Sequence, residues 1–397
     1  MIKRALLSIL RNSILVFLGL ILSVAMLEFM VRAMGAKPST YLRKFSMYDK
    51  SLGWIKTPNV EGEFIRGDRK IHEQMNSKGL RDREYTYQKE TGVIRILVLG
   101  DSFTEGYDVE IDSNFTELLE KQLNDSTANR YEVINAGTGG YSTDQEYLYY
   151  QTEGYKYQPD LVVLMVYPAN DIYYNIQSKY GNYSKPLFVL DGDSLKLSNV
   201  PLPMPKSSES IKSLFRDLAL YPIVTRIILT NFPQLSSWLA KIGLVSKSTL
   251  EVSVNRSATT RHYARSFSIY ENSYDSEIQL AWQTTSHLIT GLNDLVAAND
   301  ANLLVCAIPD KFEVYESSWL ATQKEFGVND SIWNPLKPAS LLDSITARHK
   351  IDYLDLGPSF RANSAGRVMY NGVHWNEEGN RLAASVLFKE YRKRYAK

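Results

Sequence analysis

The stretch Arg95-Ile-Leu-Val-Leu-Gly-Asp-Ser102-Phe-Thr-Glu-Gly106 carries the residue of this chain best placed for nucleophilic chemistry. Ile96 to Leu99 is a short apolar run that reads as a buried strand, and Gly100 ends it. Ser102 would then stand at the carboxyl edge of a sheet, where open α/β sheets bind their ligands. A serine hydroxyl is a weak nucleophile at neutral pH and needs an adjacent base. Histidine suits that task, because its unperturbed pKa is about 6.5. The carbonyl oxygen under attack gathers negative charge, which fixed N–H donors must hold. Gly-Asp-Ser also reads as a plain turn, since all three residues favour turns. The Gly-x-Ser-x-Gly elbow is absent, because Thr104 stands where its second glycine would be.

The elements around Ser102 alternate. Asn114 followed by Glu117 reads as a helix N-cap, and Phe115, Leu118, Leu119 and Leu123 recur at helical spacing. Residues 131–136 form a second strand, closed by Gly137-Thr-Gly-Gly140. Ser142 and Thr143 can cap the next helix with Gln145 or Glu146. A third strand over 161–167 stops at Pro168. Strands alternating with helices predict a three-layer α/β/α fold with a mostly parallel, doubly wound sheet.

The pattern breaks from 176 to 280. Residues 188–197 read as a small hairpin with a Gly turn, and 210–244 as helix in parts, broken at Pro222 and Pro233. Residues 246–277 are polar and read as loop. Regular pattern returns with a long helix over 278–296. A strand at 303–308, a helix near 341–349, a strand at 351–356 and a last helix from 377 complete the sheet. The expected organisation is an anchor over 1–34, a lead-in over 35–92, a domain split into 93–175 and 281–397, and an insertion over 176–280 between its parts.

Hydrophobic content of 44% and charged content of 22% are globular values, and a net charge of +1 gives no field for nucleic acid. Cys306 is the only cysteine, so no intrachain disulfide can form; it lies in a core-like strand and reads as a small buried hydrophobe. His72, His262, His287 and His349 are isolated, with no metal-ligand spacing and no phosphate loop. Positions 12–27 carry no charge and are nearly all apolar. With the flanking apolar residues, that run approaches the roughly 20 residues a spanning helix needs. No small-x-small cleavage site follows directly, so an uncleaved signal anchor is expected. Lys3, Arg4 and Arg11 precede the run, while Arg32, Lys37, Arg43 and Lys44 follow it. The short basic tail favours a cytoplasmic N-terminus and an exported bulk.

Four short blocks, in order and each in the matching strand context, resemble the SGNH (GDSL-type) hydrolase family. They are Gly100-Asp-Ser102-Phe, Asn135-Ala-Gly-Thr-Gly-Gly140, Ala169-Asn170-Asp171 and Asn371-Gly-Val-His374. The resemblance implies Ser102 as nucleophile, His374 as base, and an oxyanion hole of the Ser102 and Gly140 amides with the Asn170 side chain. It implies no cofactor and no metal. The family carries Asp three residues before the histidine, whereas this chain has Asn371. An amide can orient an imidazole but cannot stabilise its cation with a full charge. That leaves a Ser-His dyad, a different acid, or residual activity. The chain also resembles membrane-anchored bacterial proteins linked to exported polysaccharide. This implies a serine esterase or O-acyltransferase acting on acyl, chiefly acetyl, esters of a glycan, with a multispanning membrane acyltransferase as a possible partner. The alternative is a weak or inactive glycan-binding scaffold.

Overall fold

A computed structural model of the chain describes residues 2–34, 45–66, 69–181, 183–192, 194–204, 218–232, 235, 238–239 and 263–395. Its strands are numbered in chain order. The lead-in supplies two hairpins, β1 (Ser46–Asp49) with β2 (Gly53–Lys56) and β3 (Glu61–Arg66) with β4 (Arg69–Gln74). Then come β5 (Val93–Gly100), β6 (Arg130–Gly137) and β7 (Leu161–Val166). Two short ladders follow, β8 (Lys179–Tyr180) with β9 (Tyr183–Ser184) and β10 (Phe188–Asp191) with β11 (Ser194–Leu197). The last are β12 (Asn302–Ala307), β13 (Asp352–Asp355) and the ladder β14 (Tyr370–Asn371) with β15 (His374–Trp375).

Five of these strands form one parallel sheet in the order β13-β12-β7-β5-β6. Strand β5 sits inside it, and Leu97, Val98 and Leu99 have no exposed surface. Parallel strands covered on both faces read as unbroken apolar runs, which is why this segment lacks alternation. Helix Phe115–Ser126 packs with the C-terminal helix Glu377–Arg394, and helix Thr143–Thr152 with the long helix Ser276–Ala297. The result is the expected three-layer α/β/α arrangement. Arg95 is buried in β5, yet its charge is satisfied by Glu132 at 2.7 Å and the Tyr87 and Tyr157 carbonyls.

The chain divides into two compact units. The larger holds the sheet, most of the lead-in, residues up to Pro205 and everything from Thr259. The smaller groups residues 1–41 and 65–68 with 206–258, so the stretch 176–280 is shared between the two units. In the larger unit, the lead-in and the start of that stretch share a second core of Leu52, Trp54, Tyr141, Leu148, Phe188 and Leu288. In the smaller unit, the described elements are the first helix Ile2–Ala33 and helix Leu220–Asn231. The loop reading over 246–277 is replaced at its end by a 3-10 helix, Arg265–Tyr270; residues 246–262 lie outside the described ones. Helices Lys311–Val314 and Glu316–Phe326 also form, in a stretch for which no element was expected.

The paired strand ends set up the site. Gly100 lies opposite Gly137, and the Thr138 N–H donates to the Gly100 carbonyl at 3.0 Å. A Cβ on Gly137 would stand 2.3 Å from the Glu105 nitrogen and 2.6 Å from the Thr104 carbonyl carbon. The backbone after Ser102 therefore rests directly on this glycine. Gly137→Ala is expected to cost about 1–3 kcal/mol of stability, the usual price of overpacking. It should also lower turnover by tilting the segment that carries Ser102. A thermal melt and an ester assay check this, and an unchanged melt would mean the segment can shift aside freely.

Candidate active site

Ser102 opens a one-turn helix, Ser102–Glu105, at the carboxyl end of β5. Asp101 caps that turn by accepting from the Phe103 N–H at 2.9 Å. Gly106 ends it with φ of 81°, a left-handed conformation that glycine adopts without strain. The Ser102 Oγ lies 2.8 Å from His374 Nε2. His374 is brought there by the β14–β15 hairpin, and the Phe103 and Tyr107 rings pack against its imidazole.

The other imidazole nitrogen faces Asp108. Its Oδ2 is 3.3 Å from His374 Nδ1, and the carboxylate is buried. With Nδ1 protonated and donating to Asp108, Nε2 is left to accept the serine proton. The structure thus corrects the reading of Asn371 as the residue orienting His374. Asn371 pairs with His374 across the β14–β15 ladder, and the turn between them starts at Gly372 with φ of 64°. Two-residue hairpin loops demand such a positive φ at their first residue. Asn371 therefore belongs to the turn, while the acid comes from the loop behind the nucleophile.

Arg81 of the lead-in holds that loop. Its Nη1 donates to the Glu105 and Gly106 carbonyls at 3.1 and 2.6 Å, and its Nη2 to the Val109 and His72 carbonyls at 2.9 and 3.1 Å. Three of these acceptors flank Asp108 in the chain. The Arg81 Nε is 2.7 Å from Glu73 Oε2 but makes no hydrogen bond to it, so that pairing is one of charge. Burial pushes the Glu73 carboxyl up to about 7, against the pull of Arg81. Lys56 of β2 makes a buried ion pair with Glu105, whose other oxygen accepts the Gly139 N–H at 2.6 Å.

Gly140 follows with φ of 80°. Among the described residues, neither its N–H nor that of Ser102 has a protein acceptor. Both amides can therefore receive an oxyanion. Asn170, in the short helix Pro168–Tyr174 that follows β7, is different. Its Nδ2 already donates to the Tyr141 carbonyl at 2.7 Å and to Asp101 Oδ2 at 3.2 Å. It ties the Gly140 segment to the nucleophile turn, and a bond to substrate would have to replace one of these. Asn135 makes a further tie, donating to the Thr104 carbonyl at 2.8 Å.

Asp108 escapes sequence reading because it lies 266 residues from His374 and shares its neighbourhood with Glu105, Glu110 and Asp112. Nothing in composition selects one carboxylate among them. Arg81 lies in the turn-rich lead-in block, which signals a turn and no partner. No group of three or more His, Cys, Asp or Glu suited to a metal occurs among the described residues.

Below the site lies a group of buried carboxyls. Burial, more than any neighbour, raises Asp101 to about 6, opposed by the Phe103 N–H and by His374. Burial also raises Glu146, Asp171 and Asp144. Asp144 pairs with buried Lys185 at 2.5 Å, whereas both oxygens of Glu146 are buried without a hydrogen bond.

A serine, a histidine and a buried carboxylate in line, beside two open backbone amides at the edge of a parallel sheet, define a site of the serine acyl-transfer class. Residues 96–387 match the GDSL-like lipase/acylhydrolase family, and the chain belongs to it. No curated protein matches the sequence. Similar solved structures include an acetyl xylan esterase, 14% identical, covering 75% of this chain and 99% of its own, with a TM-score of 0.37. An acetylxylan esterase from Geobacillus stearothermophilus, solved as a catalytic mutant, is 10% identical over 75% of this chain and 93% of its own, with a TM-score of 0.36. A lipase/acylhydrolase from Enterococcus faecalis is 12% identical over 76% and 96%, with a TM-score of 0.36.

Three outcomes follow from this geometry. Asp108→Asn should cut kcat by roughly 10²–10⁴, up to the effect of the same change in a serine protease. Asn371→Asp should bring no gain. Equal losses from Asp108→Asn and Asn371→Ala would return the acid question to the hairpin. Arg81→Lys should lower kcat about 10-fold or more with little change in KM. In the Asp108→Asn background it should cost nothing further, because Arg81 acts through Asp108; additive losses would give it only a general structural role. The third outcome concerns pH. Asp101 ionises near 3.9 when unfolded and near 6 when folded, so the folded state holds its proton more tightly. Its stabilising contribution is full below about pH 4 and fades as pH rises toward 6. A melt series from pH 4 to 7 should show stability falling through that window, with a smaller fall in Asp101→Asn.

Proposed function

We propose that this chain is a serine esterase or O-acyltransferase acting through an acyl-Ser102 intermediate on acetyl esters of an exported glycan. The observation that carries this reading is the Ser102–His374–Asp108 chain. His374 Nε2 takes the hydroxyl proton as the Ser102 Oγ attacks the ester carbonyl. The negative charge on the carbonyl oxygen is received by the Ser102 and Gly140 N–H groups, while Asp108 stabilises the imidazolium. The intermediate collapses, and His374 returns the proton to the departing sugar oxygen. Water, or a second sugar hydroxyl in transfer, then attacks the acyl-serine with His374 again as base.

A small acyl group and a sugar are favoured by the wall beside Gly140. A Cβ there would stand 3.0 Å from the Tyr180 ring and 3.4 Å from Trp54. Trp54, Tyr141, Tyr180 and Tyr183 pack as one aromatic group, with Trp54 centroids 5.6 to 6.1 Å from the other three. Trp54 and Tyr141 are buried and back this wall, and the half-buried Tyr180 and Tyr183 are the rings that can offer an apolar face to a sugar ring. The weak-site alternative rested on Asn371, and the Asp108 carboxylate speaks against it.

The first helix is read as a membrane anchor with the larger unit exported. Residues Leu10–Ala33 are long and apolar enough to span a bilayer. Under the transfer reading, a multispanning membrane partner would deliver the acyl group. The test is labelling with a fluorophosphonate probe, followed by product analysis on an acetylated oligosaccharide. Ser102→Ala should abolish both labelling and acetate release while the melt stays cooperative. Labelling that persists in Ser102→Ala would sink the proposal. Free acetate alone means hydrolysis; acetyl on an added acceptor glycan means transfer.

A further inference from the structure

We propose that helix Leu220–Asn231 lies in the lipid interface beside the first helix, giving the chain a second membrane contact. This rests on reading the first helix as a membrane anchor. The helix is apolar along one face. Leu220, Ile223, Val224 and Ile227 stand at the i, i+3, i+4, i+7 positions. Ile223 is 40% exposed, Val224 44% and Ile227 51%. Phe232 just past its end, and Leu235 and Trp238 beyond, are likewise exposed. Such a surface in water marks an interaction site.

The occupant is argued from the first helix, which belongs to the same compact unit. Its residues from Leu15 to Phe29 present the same kind of exposed apolar surface. Glu28 interrupts that surface, and its side chain has a use. Its Oε1 accepts the Ala219 N–H at 2.8 Å and its Oε2 the Leu220 N–H at 2.9 Å. Arg32 donates to the same carboxylate at 2.6 Å. The first N–H groups of a helix have no partner inside it, and in lipid no water can serve them. A carboxylate from the spanning helix satisfies two of these donors. It also meets the positive end of the helix dipole.

The depth agrees. Glu28 lies five residues before Ala33, the end of the candidate span, or about 7 Å along the helix axis. Interfacial helices bury their apolar face about 5–10 Å into the boundary between headgroups and acyl chains. A second copy of the chain would need a complementary partner face, and nothing links this face to one. Continuity with the spanning helix commits it to lipid.

Single cysteines at Ile223 and Ile227, each carrying an NBD fluorophore, test this in the full chain. Cys306 is fully buried and does not compete for label. Leu18→Cys in the first helix and Leu320→Cys on an exposed helix of the larger unit serve as lipid and water references. The proteins are placed in phosphatidylcholine–phosphatidylglycerol vesicles and quenched with doxyl-labelled lipid or with iodide. Probes at 223 and 227 should be quenched by doxyl lipid at least 3-fold more than the probe at 320, and by iodide correspondingly less. Iodide quenching at 223 and 227 equal to that at 320, with the probe at 18 still lipid-quenched, overturns this inference and leaves the anchor standing. Loss of lipid quenching at 18 as well overturns the anchor reading itself. Shielding from both quenchers that disappears as protein is diluted among vesicles would mean a second copy covers the face, which also overturns it.

Discussion

One guanidinium sets the geometry of the catalytic loop. Residues 105–109 must turn sharply after the nucleophile and return a carboxylate toward His374. That turn leaves backbone carbonyls in the interior, where an unpaired acceptor is costly. Arg81 supplies donors in a fixed planar fork to three of them and to the His72 carbonyl. A lysine at this position could not reach several carbonyls in fixed directions. The lead-in is thus part of the site, because its arginine fixes the loop and its Lys56 ion pair fixes Glu105 against Gly139.

The same loop joins two tasks that are usually far apart in sequence. Ser102 and Asp108 sit on one short segment, and His374 approaches from the opposite end of the chain. Gly106, with its left-handed backbone, lies between serine and acid and folds one toward the other. A Cβ at Gly106 would stand 2.2 Å from the Asn114 amide, which itself donates to the Thr104 carbonyl. Nucleophile, acid and the cap of the next helix are therefore fixed by one set of contacts. Only the imidazole must be brought in from elsewhere, and the hairpin that brings it is free to use Asn371 and Gly372 for its own turn.

How much of this was legible follows from the range of each signal. The strands and the long helices announce themselves by local periodicity, and β5 and the helix Ser276–Ala297 lie where the sequence puts them. Ser102 and His374 each stand in a short block that can be read locally, and the structure brings the two side chains to 2.8 Å. Asp108 cannot be read that way, since what marks it is proximity to a histidine 266 residues away. Arg81 was hidden for a related reason: its partners are backbone carbonyls, and those leave no mark in side-chain identity. The division of the stretch 176–280 between two units has no local signature either, because it depends on which distant apolar surfaces meet.

The buried carboxyls give the site a second constraint. Asp101 accepts from the Phe103 N–H of the nucleophile turn and from the Asn170 amide, and its charge opposes the ionisation of Glu146 and Asp171. Several like charges cannot all be carried in so little solvent. Lys185 balances Asp144, and burial favours the neutral forms of Glu146 and Asp171. A negative charge at Asp101 repels an oxyanion forming nearby, and the Phe103 N–H and Asn170 amide that donate to it draw part of that charge away. Burial raises Glu146, Asp171 and Asp101 alike, whereas Asp108 is the carboxylate in hydrogen-bond contact with the imidazole.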